Sequence, residues 1–202
     1  MKKLSVVIPA YNEEKRITET LQSVDGYLEK QAYDYEIIVI DNNSHDRTSE
    51  VVRGLQKTTV QKSQVVVVKT PGKGAAVKEG LLQSATGDIV MFMDADNATP
   101  ISEIEKFLPY FDQGYEVVIG SRYTDPDLVK VHQPLYRIVL SRMSNLLIQF
   151  LAVPGIKDTQ LGFKAFSAKA AKDIFPLVTV LRWGFDMEVL TIARTRGYKI
   201  KE

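Results

Sequence analysis

Asp94-Ala95-Asp96 sets two carboxylates one residue apart, directly after the apolar run Ile-Val-Met-Phe-Met at 89–93. Carboxylates spaced this way can reach one divalent ion, directly or through water. Mg²⁺ and Mn²⁺ commonly take one or two carboxylates and complete their shells with substrate phosphates. An ion held there would neutralise a diphosphate leaving group. The bland alternative is that Asp96 or Thr99 caps the helix that follows. Composition narrows the choice of ion. With no cysteine, and only His45 and His132 as histidines, thiolate sites are excluded and a His-rich site is disfavoured, leaving hard ions on carboxylates.

Four more segments place polar or glycine residues after apolar runs. Residues 4–8 lead into Pro9-Ala10-Tyr11-Asn12-Glu13, and 36–40 into Asp41-Asn42-Asn43-Ser44. Residues 65–68 lead into Thr70-Pro71-Gly72-Lys73-Gly74, and 116–119 into Gly120-Ser121-Arg122. Asp41 can accept hydrogen bonds from the N–H groups of a base, or merely serve the Asp-Asn-Asn-Ser turn. Lys73, between two glycines, suits phosphate or a base, or is a plain exposed lysine. The stretch is not a P-loop, and the first run does not open G-x-G-x-x-G, so a dinucleotide-binding dehydrogenase lacks its fingerprint.

The five runs are short, apolar and rich in β-branched residues, as buried parallel strands are. Helical patterns alternate with them. Asn12 is expected to cap a helix carrying Ile17, Leu21, Val24 and Leu28 on one stripe, with Glu13 and Glu14 at its positive end. Ser44 or Asp46 opens a second helix with Val51, Val52 and Leu55, and 74–85 reads as a third. Thr99-Pro100 starts another, whose buried face is Ile104, Phe107, Leu108 and Phe111. The alternation predicts an α/β fold, a mostly parallel sheet with helices on both faces. Ligands of such sheets bind beyond the carboxyl ends of the strands, so the five polar segments are expected to form one rim and one site.

After Gly120 the pattern changes. A loop with two prolines at 123–134 precedes a helix at 135–152, rich in leucine and isoleucine and carrying Arg137 and Arg142. Its apolar residues exceed a narrow stripe. It reads either as lying on a membrane surface with its arginines toward phosphates, or as a core helix on the sheet. Residues from 157 onward are less regular and end in a helix over 186–196. Tyr198 to Lys201 looks like the start of a strand then cut off, so 1–202 is read as a single domain with a truncated C-terminal end.

With 202 residues, 45% of them hydrophobic, the chain can bury one substantial core. Its 26 basic and 25 acidic residues are nearly balanced, which argues against bulk nucleic-acid binding. No run reaches the roughly 18 uninterrupted apolar residues of a membrane span. The opening run is too short for a signal peptide. The expectation is a cytoplasmic protein, peripheral at the cytoplasmic face of a membrane if its acceptor is a lipid.

Taken together, these residues resemble the family 2 glycosyltransferases with the GT-A (Rossmann-like) fold, over nearly the whole chain. Val-Val-Ile-Pro-Ala-Tyr-Asn-Glu-Glu is similar to the family's opening, and Ile-Val-Ile-Asp-Asn-Asn-Ser-His-Asp-Arg-Thr to its second signature. Asn42 and Asn43 stand where Asp and Gly are usual. Gly72-Lys73-Gly74 and Asp94-Ala95-Asp96 complete the donor half. The second half resembles dolichyl- and polyprenyl-phosphate sugar transferases, through Gly120-Ser121-Arg122-Tyr123, Asp158-Thr159-Gln160-Leu161-Gly162-Phe163-Lys164 and Arg182-Trp183-Gly184-Phe185-Asp186-Met187-Glu188. The Asp-Thr-Gln-x-Gly-Phe-Lys form is closer to the glucosyltransferases than to the mannosyltransferases.

The resemblance implies an inverting, metal-dependent transfer of a hexose from a nucleotide-sugar, UDP-glucose first, to a polyprenyl or dolichyl phosphate. It assigns 1–122 to the nucleotide-sugar and 123–202 to the acceptor. Pro9, Tyr11, Glu13, Asp41, Lys73 and Asp94 go to the donor, and Asp94 and Asp96 to Mg²⁺ or Mn²⁺. Arg122 faces phosphates or acceptor, and Arg137, Arg142, Asp158 and Gln160 belong to the acceptor side. Asp186 falls where many members carry a catalytic base, with Phe185 replacing the usual glutamate. Its alternative is a helix N-cap. A phosphate acceptor is largely dianionic at neutral pH and needs no base. It needs cations to hold it in line. GDP-mannose as donor, a polysaccharide or other hydroxyl acceptor, and a binding module without turnover remain open alternatives.

Overall fold

The structure is a computed structural model that describes residues 3–123 and 153–202. Strands and helices alternate through β1 (Lys3–Ala10), α1 (Ile17–Leu28), β2 (Asp34–Asp41), α2 (Thr48–Thr58), β3 (Ser63–Val67), α3 (Lys73–Glu79), β4 (Ile89–Met93), α4 (Leu108–Asp112) and β5 (Val117–Ile119). Then come β6 (Phe163–Ser167), α5 (Ala168–Ile174), α6 (Phe185–Thr195) and β7 (Ile200–Lys201). These seven strands form one sheet in the order β3-β2-β1-β4-β6-β5-β7. Their pairings are parallel except those of β6, which is antiparallel to β4 and β5.

Both faces of the sheet are covered, which is why residues 6–8 of β1, 37–40 of β2 and all of β4 are apolar at consecutive rather than alternate positions. Leu4, Val6 and Ile8 of β1 and Ile37 and Val39 of β2 face α1 and α2, in a cluster with Ile17, Leu21, Val24 and Val52. Val7, Ile38 and Ile40 face the other way, toward Ala76, Val77 and Leu81, and that second cluster continues through Phe166, Phe175, Phe185 and Leu190. The expected mostly parallel sheet with helices on both faces is therefore what the chain forms.

Local expectations need five corrections. Asn12 does not cap α1, which starts at Ile17 after Arg16; instead its Oδ1 accepts from His45 N at 2.8 Å. Neither Ser44 nor Asp46 is the cap of α2, which starts at Thr48, although Asp46 Oδ1 accepts from Thr48 N at 3.0 Å. The helix expected over 74–85 is α3 followed by a π-helical turn at Gly80–Ser84, and the one after Pro100 is a 3₁₀ turn, Ile101–Lys106, leading into α4. The less regular region after 157 contains β6, inserted antiparallel between β4 and β5. The helix at 135–152, with Arg137 and Arg142, lies outside the described residues.

At the end of the sheet away from the strands' carboxyl ends, one buried hydroxyl ties three segments together. Ser5 is fully buried. Its Oγ donates to Glu36 Oε1 at 2.5 Å and accepts from Gly87 N at 2.8 Å and Thr86 N at 3.2 Å. Burial pushes the Glu36 carboxyl up, and the hydrogen bonds from Ser5, Thr86 and Lys3 outweigh it, leaving it below the usual carboxylate range. Ser5→Ala strands the Gly87 N–H in the interior. It should lower stability by about 1–3 kcal/mol without changing ligand binding at the opposite edge. Urea unfolding measures this, and an unchanged midpoint would show that the Ser5 hydroxyl contributes nothing.

Candidate active site

The chain builds β2 and β3 outward on one side of β1 and then returns to place β4 on the other. The crevice beyond the ends of β1 and β4 is where such a reversal opens a binding site. A cleft of about 670 Å³ lies there, lined by Pro9, Tyr11, Glu13, Asn42, Asn43, Lys73, Asp94, Asp96, Arg182 and Trp183 among others. Its size suits a small organic ligand.

Asp94 is among its lining residues. Its side chain is 41% exposed, and Oδ1 lies 2.5 Å from Lys73 Nζ. The carboxylate rests on Gly162, where an added Cβ would come within 2.2 Å of Asp94 Oδ2, while Asp94 N donates to Gly162 O at 3.1 Å. Only glycine leaves that space. Asp96 is exposed, and its Oδ1 accepts from Ala98 N at 3.0 Å. That turn bond leaves its other oxygen uncommitted to the turn.

Lys73 is aimed by its loop. Asn42 Nδ2 donates to Thr70 O at 2.7 Å and Val68 O at 3.3 Å, and Asn42 Oδ1 accepts from Gly72 N at 2.7 Å. A carboxylate here, as in the family's usual signature, would face two carbonyl oxygens without a proton to give. Asn43 has φ 60°, the left-handed region that explains glycine at that position in the signature. Asp41 is placed differently from expectation. It is 3% exposed, Oδ1 accepts from Ser44 N at 2.8 Å and Oδ2 accepts from Ser49 Oγ. Its carboxylate braces the loop, and Asn42 and Asn43 line the cleft in its place.

At the end of β1, Pro9 lines the cleft and Tyr11 is 54% exposed, edge-on to His45 with ring centroids 6.2 Å apart. Glu13 is engaged by Arg16, whose Nε and Nη2 each donate to it at 2.8 Å.

Beyond β5 and β6, two ion pairs fix the far side. Asp158 is 1% exposed. Its Oδ2 accepts from Arg122 Nε at 2.8 Å and Arg122 N at 3.1 Å, and its Oδ1 from Arg122 Nη2 at 3.0 Å and from Gln160 N and Leu161 N at 3.2 Å. Burial raises the Asp158 carboxyl, and the Arg122 hydrogen bonds overcome that and hold it below its ordinary range. Asp158 is thus committed to orienting Arg122, whose side chain keeps 52% exposure. Gln160 is exposed. Asp186, 5% exposed at the second position of α6, pairs with Lys164 Nζ at 2.7 Å. Gly184 is the N-cap of that helix, so Asp186 is not. Lys164 is fully buried and also donates to Leu161 O at 2.5 Å. Desolvation holds its ammonium below the usual lysine range, although Asp186 draws it up. Lys164, Asn42 and Gly162 are the positioning residues that sequence reasoning missed. The buried end of Asp-Thr-Gln-x-Gly-Phe-Lys was the available signal.

The donor set fits a hard divalent ion. Asp94 already attracts a cation, Lys73, and Asp96 stands open beside it. Among the described residues, no three His, Cys, Asp or Glu side chains converge as a self-sufficient metal site. Two carboxylates that leave the rest of the shell to phosphate and water match the habit of Mg²⁺. No helix among the described residues is long and apolar enough to cross a membrane.

Comparison with known proteins follows the same lines. A dolichyl-phosphate beta-glucosyltransferase of Trichomonas vaginalis is 39% identical, over 98% of this chain and 64% of its own length. The human dolichyl-phosphate beta-glucosyltransferase is 38% identical, over 96% of this chain and 63% of its own. The chain spans less than two thirds of these relatives' lengths. Among solved structures, glucosyl-3-phosphoglycerate synthase from Mycobacterium tuberculosis in complex with Mn²⁺, UDP-glucose and phosphoglyceric acid superposes with a TM-score of 0.70 at 22% identity, over 99% of this chain and 69% of that one. That likeness speaks to the fold. Residues 5–175 match the model of glycosyl transferase family 2, and with a sheet and strand-end cleft of the kind that family's signatures demand, the chain belongs to glycosyl transferase family 2.

Proposed function

We propose that this chain transfers glucose from UDP-glucose to a dolichyl or other polyprenyl phosphate, working against a membrane surface that holds the acceptor. The observation that carries the reading is a cleft holding Lys73 against Asp94 with Asp96 in its lining, a set of groups suited to a diphosphate and its metal, together with a separately anchored arginine, Arg122 on Asp158. The glucosyltransferase names of the relatives at 38–39% identity support the choice of sugar and acceptor.

Pro9, Tyr11, Asn42 and Asn43 offer the base end of the donor site, and Lys73 meets the diphosphate. When bound at Asp94 and Asp96, Mg²⁺ or Mn²⁺ supplies positive charge to the leaving diphosphate. An acceptor phosphate oxygen attacks the anomeric carbon from the face opposite the diphosphate. The C–O bond to the diphosphate breaks, and UDP departs with the electron pair. Arg122 is already oriented through two of its nitrogens, so its remaining N–H groups can hold the incoming phosphate in line at little entropic cost. Arg137 and Arg142 are proposed to assist it. No proton has to be removed from a phosphate dianion. The buried Asp186 therefore serves the fold instead, where it neutralises Lys164 and fixes the start of α6.

Calorimetric titration with UDP-glucose and with GDP-mannose, each with Mg²⁺ and with EDTA, tests the donor. UDP-glucose should bind only with the metal, and Asp96→Ala should abolish that metal-dependent binding while the fold survives. Preference for GDP-mannose would overturn the sugar assignment, and undiminished binding in EDTA would overturn the metal's role. Asp186→Asn tests the second point. Leaving Lys164 without its counter-charge should cost about 3–5 kcal/mol of stability, while kcat of the folded protein falls less than tenfold. A loss of a hundredfold or more in the folded variant would instead make Asp186 a general base.

A further inference from the structure

Trp183 is the only tryptophan of the chain, and at 83% exposure it is the most exposed large apolar side chain among the described residues. It lines the cleft together with Arg182. An indole normally gains by burial, so one held in the open beside a ligand cleft calls for an occupant.

The segment that carries it is held on both sides. Glu188 accepts from Thr179 N at 3.0 Å, Thr179 Oγ1 at 2.6 Å and Val180 N at 2.8 Å. Leu181 O accepts from Ala75 N at 3.0 Å, and the backbone at Gly72 runs so close that an added Cβ would lie 2.0 Å from that oxygen. The Lys73 loop and the Trp183 segment are therefore one packed unit, with Lys73 Nζ 5.7 Å from the centre of the indole.

We infer that Trp183 is the platform on which the hexose of the donor lies, an assignment that rests on the nucleotide-sugar reading above. The base takes the ends of β1 and β2, and the diphosphate takes Lys73 and Asp94. Trp183 lines the same cleft as Lys73 and Asp94, and its ring lies 5.7 Å from Lys73 Nζ, so it stands beside the group that meets the diphosphate, where the attached hexose can reach it. A pyranose presents an apolar face of C–H groups that an aromatic ring covers well, while its hydroxyls stay free for polar partners. The bare nucleotide lacks that face, so the contact selects the sugar-bearing donor.

Because Trp183 is the sole indole, its emission reports the contact directly. Titration with UDP-glucose and Mg²⁺ should shift or quench the emission, and UDP with Mg²⁺ should bind in calorimetry with little optical change. Trp183→Ala should weaken UDP-glucose about five- to tenfold, the worth of one aromatic contact. It should leave the UDP affinity and the unfolding midpoint in place, and Trp183→Phe should recover most of the loss. An equal emission change with UDP, or equal weakening of both ligands in Trp183→Ala, would overturn the assignment and place the ring on the nucleotide. A shift with polyprenyl-phosphate vesicles but none with UDP-glucose would overturn it in favour of a bilayer contact. Failure of both UDP and UDP-glucose to bind in calorimetry would overturn the donor reading itself, which the optical arms alone cannot do.

Discussion

The carboxylate of Asp94 lies over Gly162 and against the ammonium of Lys73, and three segments far apart in the chain meet in that contact. Two carboxylates gathered at one strand end repel each other when no cation lies between them. Lys73 relieves that repulsion, and an ammonium on a flexible stem is free to move from carboxylate to phosphate in the donor binding proposed above. The condition is that Lys73 be delivered to the right place. This is the work of Asn42, which clips the Gly-Lys-Gly loop through both ends of its amide.

The second half of the chain is organised as support for the first. Within the seven residues from Asp158 to Lys164, one carboxylate holds Arg122, one glycine makes room for Asp94, and one ammonium holds Asp186. The spacing follows from the strand that continues this segment. β6 runs antiparallel beside β4, so the chain enters it at the carboxyl end of β4, next to Asp94. A parallel strand in the same place would enter from the opposite edge and bring none of these groups to the cleft. The reversal of direction at β6 is what lets one short segment brace Asp94, Arg122 and Asp186 together.

That same reversal marks where sequence reading stopped. β1, β2 and β4 are legible because strands buried on both faces carry consecutive apolar residues at their centres, and Asp94 and Asp96 stand out as two carboxylates directly after such a strand. β6 is hidden by Lys164, which reads as a surface residue and is fully buried. The helix starts mislead for a related reason. Asn12 has the right side chain for a cap, but its oxygen is taken by His45, thirty-three residues away. Asp41 reads as available to a base, yet Ser44 and Ser49 occupy both of its oxygens. In these cases tertiary packing and hydrogen bonding overrode a residue's usual preference, and no local pattern records that.

The two ion pairs beyond β5 and β6 differ in a way that bears on the proposed chemistry. Lys164 and Asp186 are both buried, so the pair is isolated from solvent and gains its strength from the lack of water around it. Removing either partner leaves a bare charge in the interior. In the other pair only the acid is buried, and Arg122 keeps half its surface open. A half-open arginine on a buried carboxylate is oriented but not used up: two of its side-chain nitrogens are committed, and half of its surface stays open. Such a group is suited to receive a phosphate oxyanion, whereas an acceptor hydroxyl would ask for a solvent-accessible base. The exposed member of these two pairs is a cation, and that asymmetry fits an acceptor that arrives already charged.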